Sequence, residues 1–322
     1  MRHAEHPWIT VVSLSPAMDK RVEVEDFRAG GTNRVLFSRA DAAGKAINVS
    51  LALAAMGRRV RCIGILPGRG EAVQERLKRH GVAFDFLDAP GEVRVNQKVF
   101  DRATGEITEI NEPCPDAPES LLEAAADAAL QAAKDSAFLV LTGSLPGACK
   151  ADWYANVIRR VREAAPHCHC ALDADGERLR LGIEAAPFLI KPNLNELEQW
   201  MGRPLATQGE ALQAAQALRA QGIAYVAVSM GAEGALLATE NGAFAAETLE
   251  VPIRTTTGAG DAMVAGMLDA ILEGKGAAEV LRGGVAVATA RCVDGGDGFL
   301  QKECAEGLRQ RVRVQLLRYA AD

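Results

Sequence analysis

Short apolar runs and longer amphipathic stretches alternate along most of the chain. Runs at 8–14, 60–66, 138–141, 168–172, 188–190 and 225–229 hold few polar residues, the pattern of strands buried on both faces. Between them apolar positions recur at helical spacing, which predicts helices over 43–56, 71–80, 121–133, 152–165 and 210–221. Gly57, Gly81 and Gly222 follow three of these, where a left-handed C-cap is expected, and Asp116 and Pro118 precede the third. Strand, helix, strand repeated in this way predicts a three-layer α/β/α sandwich around a mostly parallel sheet.

Two stretches break the alternation. Residues 21–25 and 33–39, and again 93–101 and 106–111, look like short half-polar strands, the second pair joined by Ala103-Thr104-Gly105 as a hairpin turn. Together they predict a small antiparallel β lid, built from about 19–40 and 92–112, over the main sheet. From Gly260 onward the chain reads mainly as helix. No repeat of 20 to 50 residues and no low-complexity linker divides it, so residues 1–322 read as one domain carrying a lid.

Composition narrows the function. With 36 basic and 42 acidic residues among 322, the net charge is −6, which argues against a general nucleic-acid binder and leaves room for an anionic small molecule held by a few local cations. No apolar run approaches the ~18 residues of a membrane span, and residues 1–7 lack the apolar core of a secretory signal. The seven cysteines are scattered and odd in number, as expected for reduced thiols in the cytoplasm. His167-Cys168-His169-Cys170 resembles a metal set, but on a strand these side chains alternate between faces. Arg309, Arg311, Arg313 and Arg318 are expected on a solvated helix face.

The strongest chemical signal is Gly258-Ala259-Gly260-Asp261, followed by apolar residues at 264, 267, 268 and 271 on one helix face. Glycines at a helix start let the backbone approach a ligand, and free first-turn amides favour an anion. Asp261 would sit where a carboxylate can take a proton from an attacking hydroxyl, as phosphoryl transfer to an alcohol requires. The alternative is an ordinary acidic residue opening a helix. In the segment from Asp41 to Asn48, Lys45 and Asn48 share one helix face and form a polar surface suited to a sugar or its phosphate; a solvated lysine is the alternative. In Lys191-Pro192-Asn193-Leu194-Asn195-Glu196, Asn193 and Glu196 are spaced either as a capping box or as water-mediated holders of Mg²⁺. Ser229, Gly231 and Gly234 mark a strand running into a glycine turn, at the kind of sheet edge where open α/β folds bind ligands, or a simple turn.

Taken together and in order, these segments resemble the ribokinase-like (PfkB) family of carbohydrate kinases over nearly the whole chain. Besides Gly258 to Asp261, the resemblance is carried by Ser13 to Asp19, Asp41 to Asn48, Thr142-Gly143-Ser144-Leu145-Pro146 and Lys191 to Glu196. Arg94-Val95-Asn96 and Thr108 to Pro113 resemble the lid strands of its fructose-1-phosphate and tagatose-6-phosphate branch. The resemblance implies that Asp19, Gly44, Lys45, Asn48, Arg94, Asn96 and Ser144 hold a sugar phosphate. It implies Asp261 as general base, with Gly258, Ala259 and Gly260 forming the anion hole. Asn193 and Glu196 would serve Mg²⁺, Ser229, Gly231 and Gly234 would bind ATP, and the lid would mediate a homodimer. The implied reaction is ATP-dependent phosphorylation of fructose 1-phosphate, with tagatose 6-phosphate, fructose 6-phosphate or a low-turnover phosphosugar sensor as alternatives. Ser15 stands where asparagine is usual, and Ala43 and Ala46 stand where the family has glycine, so the two added methyls are expected to narrow the sugar pocket or to demand φ < 0 there.

Overall fold

The computed structural model describes residues 7–68, 70–294 and 299–317. His3, His6 and Arg318 fall outside the described residues. The main sheet has ten strands. Its parallel part comprises β1 (Trp8–Ser13), β4 (Val60–Pro67), β5 (Ala83–Ala89), β8 (Ser136–Thr142), β9 (His169–Asp173), β10 (Leu189–Ile190) and β11 (Tyr225–Ser229). Three antiparallel strands, β12 (Ala235–Thr239), β13 (Gly242–Ala246) and β14 (Val314–Leu317), extend one edge. All six apolar runs singled out above are strands.

Alternation along these strands divides the core in two. Ile9 and Val11 of β1, Phe138 and Val140 of β8 and Leu237 of β12 pack into one apolar cluster, beneath α1 (Lys45–Ala55), α2 (Glu71–Arg79), α8 (Ala259–Leu272), α9 (Ala277–Asp294) and α10 (Lys302–Arg309). Val12, Leu139, Leu141 and Leu236 enter the other, beneath α3 (Glu119–Ala133), α4 (Trp153–Ala164), α5 (Gly176–Glu184), α6 (Leu194–Met201) and α7 (Gln208–Arg219). The three-layer sandwich follows from this period-2 burial.

The lid is a four-stranded sheet in the order β3-β2-β6-β7, from β2 (Ala17–Val24), β3 (Phe37–Ala43), β6 (Arg94–Asp101) and β7 (Ile107–Asn111). Its outer pairings are antiparallel as expected, while its central pairing, β2 with β6, is parallel. Both strands rise from the same edge of the main sheet, one after β1 and one after β5, and so run the same way. The second lid strand, β3, lies at Phe37–Ala43, further along than 33–39, so Ala43 ends a strand and α1 begins only at Lys45.

The 309–318 segment corrects the expectation of a solvated helix face. The helix stops at Arg309 and the chain turns into β14, whose residues alternate against β13. In the 167–170 stretch, Cys168 and Cys170 are buried in one cluster while His169 stacks on the Phe188 ring at 4.0 Å.

Candidate active site

The Gly258-Ala259-Gly260-Asp261 loop opens α8. Gly258 is its N-cap in the left-handed region, φ 81°, and a methyl group there would lie 3.3 Å from the Phe299 ring, so glycine is required. Ala259 donates to the Thr256 carbonyl and Ala262 to that of Gly258. Among the described residues, no backbone acceptor takes the amides of Gly260 and Asp261, which leaves them for an anion. Asp261 is buried, and Asn48 Nδ2, one turn into α1, donates to its Oδ2 at 2.8 Å. Burial, aided by the charge of Asp173, pushes the Asp261 carboxyl up to about 6, against the opposing pull of Lys45 and the Asn48 amide.

Asp173 closes β9, and its charge acts on Asp261. Its Oδ1 lies 3.3 Å from Lys45 Nζ and 3.6 Å from Lys191 Nζ, and Lys191 is itself 5% exposed. Burial opposes ionisation of Asp173, but the two lysines prevail and hold its carboxyl below the usual range. Asp173 in turn raises the Lys45 ammonium. The two buried carboxylates are thereby driven apart, one kept ionised and one poised to exchange a proton. Neither Asp173 nor Lys191 was among the candidate residues. The available signals were a carboxylate at the C-terminal end of a buried strand and the lysine that opens the 191–196 motif.

Beyond Lys191, Asn193 caps α6. Its Oδ1 accepts from the Glu196 amide at 2.9 Å, and Glu196 Oε2 accepts from the Asn193 amide at 2.8 Å, so the capping box is formed. Burial pushes the Glu196 carboxyl up. Asn193 bridges to Ser229, whose amide donates to the Pro192 carbonyl at 3.1 Å, and this joins the 191–196 motif to the 229–234 turn. Gly231 and Gly234 have φ of 58° and 92°, and a side chain at Gly234 would run into the Ala246 carbonyl, so this turn depends on glycine.

The lid supplies the remaining candidates. Arg94 donates to Asn96 Oδ1 at 3.0 Å, and Asn96 Nδ2 donates to Asp19 Oδ1 at 3.0 Å. Lys98 completes the row with 2.7 Å to Asp19 Oδ2 and 3.4 Å to the Thr257 hydroxyl, tying lid to loop. Lys98 escaped the sequence reading, although alternation from Arg94 and Asn96 places it on the same strand face.

Two recesses flank this row. A small one, about 60 Å³, is lined by Ser15, Gly44, Lys45, Ala46, Arg94, Gly143 and Ser144 among others. Within it, Ser15 Oγ and Arg94 Nε are buried without a hydrogen-bond partner among the described residues. A larger one, about 300 Å³, lies under the lid and includes Asp19, Asn48, Lys98, Thr257, Arg254 and Arg291. The structure thus brings Gly44, Lys45, Arg94 and Ser144 to one recess and Asp19 and Asn48 to the other, with Asn96 bonded between them. Lys191 stands against the loop that opens α8, since a methyl on Gly260 would lie 3.2 Å from its Nζ.

A helix start with free first-turn amides beside a buried carboxylate raised to about 6, opening on a recess rich in lysine and arginine, is the arrangement of a group-transfer enzyme for charged small molecules. The chain belongs to the pfkB family of carbohydrate kinases, whose pattern matches residues 9–303. It is 38% identical to a 1-phosphofructokinase of Rhodobacter capsulatus over 279 residues, 85% of this chain and 87% of that one. A 1-phosphofructokinase of Escherichia coli strain K12 is 31% identical over 95% of this chain and 98% of its own. Among solved structures, phosphofructokinase-2 from Escherichia coli in complex with potassium superposes with a TM-score of 0.88 at 25% identity, covering 95% of this chain and 99% of that one. The protein is a phosphotransferase that acts on a sugar hydroxyl. Among the described residues, no helix is long and apolar enough to cross a membrane.

Proposed function

We propose that this chain phosphorylates the free primary hydroxyl of fructose 1-phosphate, with ATP as donor, and that Asp261 is the general base. The observation that carries the reading is the buried Asp261 carboxylate, raised to about 6 and held by Asn48 beside amides that no backbone acceptor takes. The activity named for the two 1-phosphofructokinase relatives supports the choice of sugar. The sugar's existing phosphate fits the small recess, where Arg94 Nε lacks a partner and Lys45 and Ser144 stand alongside. Asp19 and Asn48 fit the ring hydroxyls. Ala46 lines the small recess and Ala43 the larger, so a methyl stands at each end of the sugar site.

In the reaction the hydroxyl oxygen forms a bond to the γ-phosphorus of ATP while the bond to the β–γ bridging oxygen breaks. The hydroxyl proton passes to Asp261 and the bridging electrons leave with ADP. Lys45 and Lys191 bring positive charge to the transfer line, and positioning supplies most of the rate. The nucleotide lies along Ser229, Gly231 and Gly234. The ligating atoms of Asn193 and Glu196 are oxygens, of which Asn193 Oδ1 and Glu196 Oε2 also close the capping box, and no group of three or more His, Cys, Asp or Glu that could hold a metal forms among the described residues. That donor set fits Mg²⁺ held through water, which neutralises phosphate charge when bound. The seven free cysteines favour work in the cytoplasm. Val35, Leu36, Ile107 and Ile110, more than half exposed on the lid and its approach, favour a homodimer through that face.

A coupled ADP-release assay tests the reading with MgATP against fructose 1-phosphate, fructose 6-phosphate, tagatose 6-phosphate and fructose. Rapid turnover of fructose 1-phosphate alone is expected. Preference for another sugar moves the specificity, and sugar binding without turnover on all four replaces the enzyme with a sensor.

A further inference from the structure

The larger recess carries more positive charge than its acids balance. Arg21 pairs with Glu23, Arg39 with Asp41 and Lys98 with Asp19, but Arg76, Arg254 and Arg291 make no ion pair among the described residues. Arg76 donates to the Ala42 carbonyl. Arg291 does not share even that kind of contact. Its guanidinium stacks over the Phe299 ring at 4.5 Å, and its Nε and one terminal nitrogen are buried with no hydrogen-bond partner among the described residues. Leaving charged donors buried and unpaired is costly, so such a group in a cleft is waiting for an acceptor.

The direction in which it waits is set by the loop that opens α8. A methyl on Gly258 would lie 3.4 Å from Arg291 Nε, just as one on Gly260 would lie 3.2 Å from Lys191 Nζ. The loop that offers the free amides therefore has a cation touching each of its two glycines. Arg76 and Arg291 line the same recess; burial and the charge of Arg76 weaken the hold of Arg291 on its proton, while Cys292, Asp294 and Asp261 strengthen it. A like-charged pair lining one cavity gains from an anion placed between them.

We propose that Arg291 is a catalytic residue for the phosphoryl transfer, its guanidinium donating to the oxygens of the migrating group on the side of the loop opposite Lys191. This rests on the kinase reading. Charge on those oxygens peaks in transit between ADP and the sugar oxygen, so a fixed guanidinium there acts on kcat more than on either KM. Neither phosphate anchoring in the small recess nor proton uptake by Asp261 involves it.

The test compares wild type with Arg291→Met, Arg291→Lys and Arg291→Ala. Arg291→Met, which keeps an apolar chain over Phe299, is expected to lose on the order of 10²-fold in kcat, with both KM values within about twofold of wild type. Arg291→Lys should recover part of the loss. Millimolar guanidinium should restore turnover to Arg291→Ala and leave wild type unchanged. An unchanged kcat in Arg291→Met, or a loss confined to the sugar KM, overturns the proposal. Thermal melts identify a variant that has lost its fold. Orthovanadate binding to the ADP-loaded protein gives a reading without turnover: about tenfold weaker binding in Arg291→Met and Arg291→Lys at wild-type melting temperature is expected, and equal binding overturns the proposal. Absence of turnover in wild type on every sugar would instead refute the kinase reading.

Discussion

At the residue scale, Asp261 makes a prediction with two halves. Its carboxyl is raised to about 6, so the proton is bound more tightly in the folded chain than in the unfolded one. A base must be unprotonated, and kcat/KM should therefore fall below about pH 6, one decade per pH unit, in an initial-rate profile. Asn48 stabilises the ionised form, so Asn48→Ala should move that limb to higher pH. The same shift costs stability as pH rises from the unfolded value through 6, because above it a buried group must carry charge. Asp261→Asn removes that cost. It should lose at least about 10²-fold in kcat yet melt roughly 2 °C or more higher at pH 8, read by calorimetry. The Gly258 to Asp261 run, Lys45 and Asn48 were legible because their types and spacing make sense locally. Asp173, Lys98 and Arg291 were not, because each is defined by what it opposes: Lys45 is 128 positions from Asp173, and Thr257 is 159 from Lys98.

At the element scale, α8 carries the proposed base and is placed by its packing against α9. The two helices cross on glycines: a methyl on Gly266 would lie 2.5 Å from the Gly283 carbonyl oxygen and 2.8 Å from Val287, while one on Gly284 would meet Met267 at 2.7 Å. Alanine is the better helix former by about 1 kcal/mol, but a backbone carbonyl cannot rotate away. Gly266→Ala should therefore destabilise by a net 1–2 kcal/mol or so, lowering the denaturant midpoint. Because the helix start shifts with it, kcat should fall while Gly307→Ala, with open space around it, leaves kcat unchanged. The apolar runs of the parallel sheet were readable because burial on both faces leaves an unbroken signal. β12 and β13 were hidden by alanine, a weak strand former, and β5 by its alternating exposure. The parallel joint between β2 and β6 depends on where both strands leave the main sheet, which no window along the chain contains.

At the scale of the whole molecule, the lid both roofs the site and exposes Val35, Leu36, Ile107 and Ile110. The homodimer proposed above would cover this face with a second copy. Ile107→Asp together with Ile110→Asp should convert dimers to monomers in sedimentation and raise the sugar KM several-fold, since Asp19, Asn96 and Lys98 sit on the same sheet. A wild-type monomer would remove the dimer. The net charge of −6 gave no hint of the cation-rich cleft, because acidic and basic residues are sorted in space, not along the chain.

The hydrogen bond between Asn48 and Asp261 spans 213 positions of sequence. A chain leaving the ribosome carries Asp19, Lys45, Asn48 and the four lid strands long before Asp261. Thr257, Arg291 and Phe299, which line the larger recess with Asp19 and Asn48, also emerge late, so the cleft is complete only once synthesis has brought both ends of the fold together and α8 has docked on α1.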